Sequence, residues 1–260
     1  MRRHEKRPCR ARNVKRLMIL LPVLNEAEGL EAVLGTMPVE SLEERGWTSD
    51  IVIVDGNSTD SSREIGVAAG CNVLVQPNHG KGEAVRLGFN YAIKNKYDAL
   101  VMFDADQTYD PIDMLAMLDE PDQEGVIVGN RLNSSMTNDA MSPTNWVGNH
   151  LLTWSAVLLH GLEIHDVCSG YWFFHRKALL RMNLNSIDFE IEAEMYAQCA
   201  ISGIPLSNIP VSYGARVGEA KLGSLRDGSS ILRKLIVRKL FPQPVEEELG
   251  QGKLAFYSNN

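Results

Sequence analysis

Two carboxylates, Asp104 and Asp106, stand one residue apart in the stretch VMFDADQTYDP, where an apolar run ends and a proline soon follows. Acids this close repel each other unless something positive lies between them. In an extended segment alternate residues face the same way, so both could turn toward one divalent cation. Hard oxygen ligands suit Mg²⁺ or Mn²⁺, and Mg²⁺ usually keeps water and shares its shell with substrate phosphates. Such an ion would neutralise a leaving diphosphate as a Lewis acid. The plainer alternative is a pair of acids that ends a strand and caps a turn. Lys81 is a second candidate: it lies in a glycine-flanked turn (GKG) that opens a helix, where backbone N–H groups and a cation favour phosphate.

These residues need a frame. Apolar runs over 16–24, 50–55, 72–76, 98–104 and 125–130 read as strands, and the patterns over 26–37, 60–70 and 80–95 read as helices. Ser58 or Thr59 is placed to cap the helix that follows, and Pro111 to open another. Strand–helix alternation of this kind predicts an α/β fold with a mostly parallel sheet. Ligands of such sheets bind at the carboxyl ends of the strands. Asn25 and Glu26, Asp55, Asp104 and Asp106, and Asn130 and Arg131 follow four of the predicted strands. The second half reads as a long helix over 143–162, a strand-like aromatic run in IHDVCSGYWFFHR, a helix over 189–203 and extended chain over 204–217.

VMFDADQT also fits the aspartyl-phosphate hydrolase pattern of four apolar residues, DxDx and Thr. That family places the motif on its first strand and needs a later acidic pair. Here three strand–helix units come first, and the next strand ends GNRLN.

The net charge of −7 argues against a general nucleic-acid binder. Residues 1–16 nevertheless carry +7, leaving −14 on the remainder, so a basic arm on an acidic body points to anionic lipid or another polyanion. A solvated tail is the alternative. Four scattered cysteines, with no CxxC spacing, indicate neither a zinc site nor a disulfide framework and fit a reducing cytoplasm. The run LMILLPVL is too short and too proline-interrupted for a signal segment, and no run reaches the ~18 apolar residues of a spanning helix.

Taken in order, LPVLNEAEGL, IVIVDGNSTD, GKGEAVRLG, FDADQTYDP, VGNR and DVCSGYWFF resemble the family 2 glycosyltransferases of the GT-A fold. Within them the chain is most similar to the polyprenyl-phosphate branch, in particular the archaeal dolichyl-phosphate glucose and N-acetylglucosamine synthases of protein N-glycosylation. The likeness spans about residues 17–225, between a basic tail (1–16) and a C-terminal basic segment (226–260). It implies a Rossmann-like nucleotide-binding half fused to an acceptor half. By position, Pro22, Asn25, Glu26 and Asp55 would contact the donor nucleoside and Lys81 its phosphates. Asp104 and Asp106 would hold the metal, with Gln107 or Thr108 as a third neighbour. Arg131 would grip a donor or acceptor phosphate, and Asn145, Asn149, Ser169 and Trp172 would lie toward the acceptor.

Some positions depart from the branch. Gly56 replaces a second acid, Asn145 and Asn149 stand where mannose synthases show an arginine before a serine, and Trp172 replaces the arginine of SGFR. These changes favour a UDP-hexose over GDP-mannose. A lipid phosphate is already ionised and can attack C1 directly, whereas a hydroxyl acceptor needs a base, worth ~10² to 10⁴-fold. Asp166 is the candidate base; His165 reads as a turn residue. The implied activity is inverting, metal-dependent transfer of a hexose from UDP-glucose or UDP-N-acetylglucosamine to dolichyl phosphate, on the cytoplasmic face of a membrane. A GDP-mannose-dependent synthase, a transferase acting on a hydroxyl and an inactive donor-binding subunit are the alternatives. SILRKLIVRKLF (230–241) places Ile231, Leu232, Leu235, Ile236 and Leu240 on one helical face and Arg233, Lys234 and Arg238 on the other. That is the pattern of a membrane-surface helix; packing on the domain or self-association are the alternatives.

Overall fold

The computed structural model describes residues 14–120, 124–132, 140–216 and 224–243. Its first half contains β1 (Lys15–Val23), α1 (Ala27–Gly35), α2 (Val39–Glu44), β2 (Trp47–Asp55), α3 (Ser62–Ala68), β3 (Asn72–Val75), α4 (Lys81–Lys94) and β4 (Ala99–Met102). There follow α5 (Met114–Asp119), β5 (Val126–Asn130), α6 (Pro143–His160), β6 (Trp172–His175), α7 (Arg176–Leu179), α8 (Ile191–Ser202), β7 (Leu206–Pro210) and α9 (Ser224–Leu240). Seven strands form one sheet in the order β3-β2-β1-β4-β6-β5-β7. Neighbours are parallel except around β6, which runs antiparallel to both β4 and β5.

β1 shows why both faces of the sheet are covered. Leu17, Ile19, Leu21 and Val23 enter one core with Leu30 and Val33 of α1 and Met114 and Met117 of α5. Met18 and Leu20 enter the opposite core with side chains of α4, α6, α8 and α9. A strand buried on both faces reads in sequence as the unbroken apolar run seen here.

Several boundaries differ from the sequence reading. β2 begins at Trp47, paired with Lys15, and α2 was not anticipated. β4 stops at Met102, so Asp104 and Asp106 occupy the turn beyond the strand rather than alternate strand positions. Neither Ser58 nor Thr59 caps α3. Asp60 Oδ1 accepts from Ser62 N at 3.0 Å, while Ser58 Oγ accepts from Asn25 N at 2.9 Å. The aromatic run becomes β6, and α9 starts six residues before the expected 230. Of the basic arm only residues 14–16 are described, and residues 244–260 lie outside the description as well. No helix among the described residues is long and apolar enough to cross a membrane.

Candidate active site

The carboxyl ends of β1, β4 and β5 open into a cleft of about 730 Å³, lined on this side by Glu26, Lys81, Asp104, Asp106, Arg131 and Arg216. The second half of the chain adds Met141, Asn145, Asn149, Leu152, Val167, Phe189 and Ile231 to the same lining.

The two acids have separate partners. Asp104 Oδ1 lies 2.5 Å from Lys81 Nζ, which also reaches Glu192 Oε1 at 2.8 Å. Asp106 Oδ1 accepts from Thr108 N at 3.1 Å and Thr108 Oγ1 at 2.6 Å. Asp106 Oδ2 lies 3.3 Å from Arg216 Nη2, which is 2.6 Å from Glu26 Oε1. Burial works against the Lys81 ammonium, but Asp104 and Glu192 outweigh it and hold its pKa well above the ordinary lysine value. Burial would likewise raise Asp104, and Lys81 instead keeps it below the usual carboxylate range. Asp106 is pushed up, first by burial and then by the Asp104 charge. Glu192 is raised by burial despite Lys81.

Close packing fixes this turn. A Cβ on Gly29 of α1 would come within 2.6 Å of Ala105 O and 2.8 Å of Asp106 Cα, so only glycine lets α1 approach. A Cβ on Gly170 would run into the Asp104 carboxylate. Gln107 sits at the turn's tip with φ 64°, exposed, and does not line the cleft. The third neighbour of the acids is therefore Thr108, whose hydroxyl already serves Asp106, and not Gln107.

Arg131, just past β5, is buried, with Nε 2.6 Å from Asp166 Oδ2 and Nη2 2.9 Å from Asp166 Oδ1. Its backbone N–H reaches Asp166 Oδ2 at 3.3 Å, and its guanidinium lies 5.1 Å from the Tyr213 ring centroid. Asp166 is fully buried and does not line the cleft. Burial opposes the Arg131 charge, but Asp166 raises its pKa well above the ordinary value.

The remaining expected residues divide. Pro22, Glu26, Lys81, Asn145 and Asn149 line the cleft. Asp55 is buried behind it, its Oδ2 2.5 Å from Arg63 Nη2 and its Oδ1 accepting from Ser58 N at 3.2 Å; the cleft-lining residue here is Gly56. Asn25, at φ 50°, accepts from Thr59 N at 2.7 Å and holds the two strand-end loops together. Ser169 and Trp172 are buried and away from the cleft lining. Trp172 lies on β6, stacked with Phe174, and its Nε1 donates to Ser169 O at 2.6 Å. Trp172 thus packs in the core and does not line the cleft.

Arg216 and Glu192 were not anticipated. Glu192 does leave a sequence trace, since it and Glu194 are acids in a helix buried from Ile191 to Cys199. Arg216 leaves none, because its partner Glu26 is 190 residues away.

Among the described residues no group of three or more His, Cys, Asp and Glu side chains converges as a self-sufficient metal site. Two nearby carboxylates whose like charges repel do fit a hard dication that completes its shell from phosphate and water.

A mostly parallel sheet carrying these acids and cations at its strand ends defines an α/β GT-A glycosyltransferase. The model of the family described as Glycosyl transferase family 2 matches residues 18–182. The chain is 36% identical over 231 residues to Glycosyltransferase AglJ of Haloferax volcanii, covering 87% of this chain and 73% of that one. It is 25% identical over 236 residues to the polyprenol monophosphomannose synthase of Mycolicibacterium smegmatis, covering 83% and 84%. Glucosyl-3-phosphoglycerate synthase from Mycobacterium tuberculosis, solved with Mn²⁺, UDP and glucosyl-3-phosphoglycerate, shares the fold with a TM-score of 0.63 at 17% identity, over 88% of this chain and 81% of that one. The chain belongs to glycosyltransferase family 2 and is a transferase.

Proposed function

We propose that the protein transfers a hexose from a UDP-sugar to dolichyl phosphate, with inversion at C1, while seated on the cytoplasmic face of a membrane. One observation carries this reading: a single cleft is lined both by Lys81, Arg131 and Arg216 and by the apolar Met141, Leu152, Val167, Phe189 and Ile231. A ligand combining phosphate with a hydrocarbon tail suits that pairing. The likeness to a polyprenol monophosphomannose synthase supports it.

The loops of Pro22, Asn25, Glu26 and Asp55 form the donor end, and Lys81 faces the donor phosphates. Asp104 and Asp106 would hold Mg²⁺ or Mn²⁺, which supplies Lewis-acid neutralisation of the departing diphosphate; Mn²⁺ accompanies UDP in the structure of glucosyl-3-phosphoglycerate synthase. Arg131 grips the acceptor phosphate, as a planar guanidinium does well. An acceptor oxygen, already ionised, forms the bond to C1 as the bond from C1 to the UDP oxygen breaks. No proton has to leave the acceptor, so the enzyme's task is alignment and charge stabilisation. Asp166, with both oxygens turned to Arg131, is a positioning residue in this scheme and not a base.

A hydroxyl acceptor is the second reading, favoured by Asp188. This exposed carboxylate lines the cleft, and burial together with Glu190 and Asp227 raises its pKa, as suits a base. The test incubates the protein with dolichyl phosphate, Mg²⁺ or Mn²⁺, and radiolabelled UDP-sugars or GDP-mannose. Label entering the lipid phase from a UDP-sugar is expected. Label from GDP-mannose alone overturns the donor, and water-soluble product abolished by Asp188→Asn overturns the acceptor.

A further inference from the structure

The turn that carries Lys81 is gripped by one stretch of chain, residues 186–192, through both its backbone and its side chain. Gly80, at φ 108°, and Gly82 flank the lysine. A Cβ on Gly80 would come within 2.3 Å of Ile187 O, and one on Gly82 within 2.5 Å of Ser186 O. Glu83 N donates to Ile187 O at 3.1 Å, which ties the first turn of α4 to the same segment. The Lys81 ammonium then reaches Glu192 Oε1, in the first turn of α8, at 2.8 Å and lies 6.0 Å from the Phe189 ring centroid. Its other partner, Asp104 Oδ1 at 2.5 Å, belongs to the turn beyond β4. The three side chains differ in access: Asp104 is 31% exposed, Lys81 12% and Glu192 7%.

We propose that Glu192 is a positioning residue for Lys81, holding the ammonium at the cleft while Asp104 is engaged with a divalent cation. The proposal rests on the metal and donor reading above and adds a residue to it. Lys81 neutralises Asp104, so a dication at Asp104 meets a cation already there, and the two repel. Glu192 is where the ammonium goes: the contact exists already, and low exposure keeps the carboxylate from the incoming ion. With Lys81 kept on Glu192, Asp104 has an oxygen to give, and the ammonium stays in the cleft lining, facing the donor phosphates. Stability does not explain a carboxylate at this place. α8 is buried from Ile191 to Cys199, and a buried ion pair contributes little net stability beside well-packed apolar side chains. Lys81 is the one ion-pair partner of Glu192 among the described residues, and both line the cleft. Glu194, two residues on, differs: it pairs with Lys234 and Arg238 of α9 and does not line the cleft.

The test follows binding of radiolabelled UDP to the full chain by equilibrium dialysis as Mn²⁺ is raised, with no acceptor present. Glu192→Gln should raise the half-saturating Mn²⁺ roughly fivefold or more, because Lys81 then stays on Asp104 and competes with the ion. In a Lys81→Met background the same substitution should leave that midpoint within about twofold, since the competitor is gone. A carboxylate that acts by its charge alone, or by supporting the fold, shifts both backgrounds alike, and equal shifts overturn the proposal. So does a Glu192→Gln midpoint equal to wild type. Lys81→Met/Glu192→Gln removes both charges of the buried pair, so it folds even where Glu192→Gln does not. Its midpoint then refutes the proposal if it departs from that of Lys81→Met by more than about twofold. A wild-type chain whose UDP binding is indifferent to Mn²⁺ overturns the metal reading and the proposal with it, whereas Mn²⁺-dependent binding with equal shifts removes the role of Glu192 alone.

Discussion

Replacing Asp166 by Asn decides whether this carboxylate holds Arg131 or accepts a proton. Three donors of Arg131 converge on it, at 2.6, 2.9 and 3.3 Å, in a site closed to solvent. Removing one partner of a buried pair costs about 3–5 kcal/mol, because the other charge is left unpaired. The amide keeps one acceptor oxygen for the guanidinium, so the lower end, about 3 kcal/mol, is the expected loss in urea unfolding. The double variant Arg131→Met/Asp166→Asn should recover part of that loss, since the stranded charge goes with it. A loosened Arg131 should lower kcat/KM by roughly 10- to 100-fold, the worth of one charged hydrogen bond. The pH profile separates the two roles. A positioning residue lowers the rate at every pH and leaves the acidic limb in place, whereas loss of a base removes that limb. A stability change under about 1 kcal/mol, or a profile that loses its acidic limb, refutes the reasoning.

Asp106→Asn should lose stimulation by Mg²⁺ and Mn²⁺ and reduce transfer by roughly 10²-fold or more, with folding intact; a metal titration indistinguishable from wild type rejects the assignment. Glu194 predicts a pH dependence of stability: burial would raise its pKa, but Arg238, the Ser186 N–H and Lys234 hold it below the ordinary glutamate value. Its contribution is therefore fully present above the unfolded pKa of about 4.3 and lost as pH falls through the lower folded value. Unfolding midpoints of Glu194→Gln should fall less steeply across that acidic window than those of wild type, and parallel curves would contradict it.

The strand-end logic was legible because it depends on local order. An apolar run followed by an acid or amide announces a residue at the carboxyl edge of a parallel sheet, and Glu26, Asp104, Asp106 and Arg131 all reach the cleft that way. Asp55 obeys the same rule, yet its carboxylate is taken up by Arg63 and Ser58, because a local partner eight residues on outcompetes the cleft. Which charge meets which was not legible. Lys81 to Glu192 and Arg216 to Glu26 are contacts across the whole fold, and their spacing along the chain carries no period that a pattern could reveal. Trp172 failed for a different reason. Position within a motif places a backbone, but β6 lies inside the sheet and buries Trp172, Phe173 and Phe174 on both of its faces, which takes Trp172 into the core.

α9 shows the limit most clearly. A helical wheel sorts side chains by angle, and it grouped Ile231, Leu232, Leu235, Ile236 and Leu240 as one apolar face with Arg238 opposite. The fold cuts that face in two. Ile231 and Leu235 turn inward against α6 and α8, and Arg238, 2% exposed, turns in beside them. Its Nε donates to Glu194 Oε1 at 2.9 Å, and Lys234 reaches the same oxygen at 3.5 Å. A buried arginine is tolerable only because α8 supplies a buried carboxylate, a fact outside the helix's own sequence. Leu232, Ile236 and Leu240 are what remains exposed after that docking. Packing on the domain and facing a membrane, which compete when the helix is read alone, are therefore compatible in the folded chain. The inward edge of α9 packs on α6 and α8, and the outer edge keeps Leu232, Ile236 and Leu240 exposed.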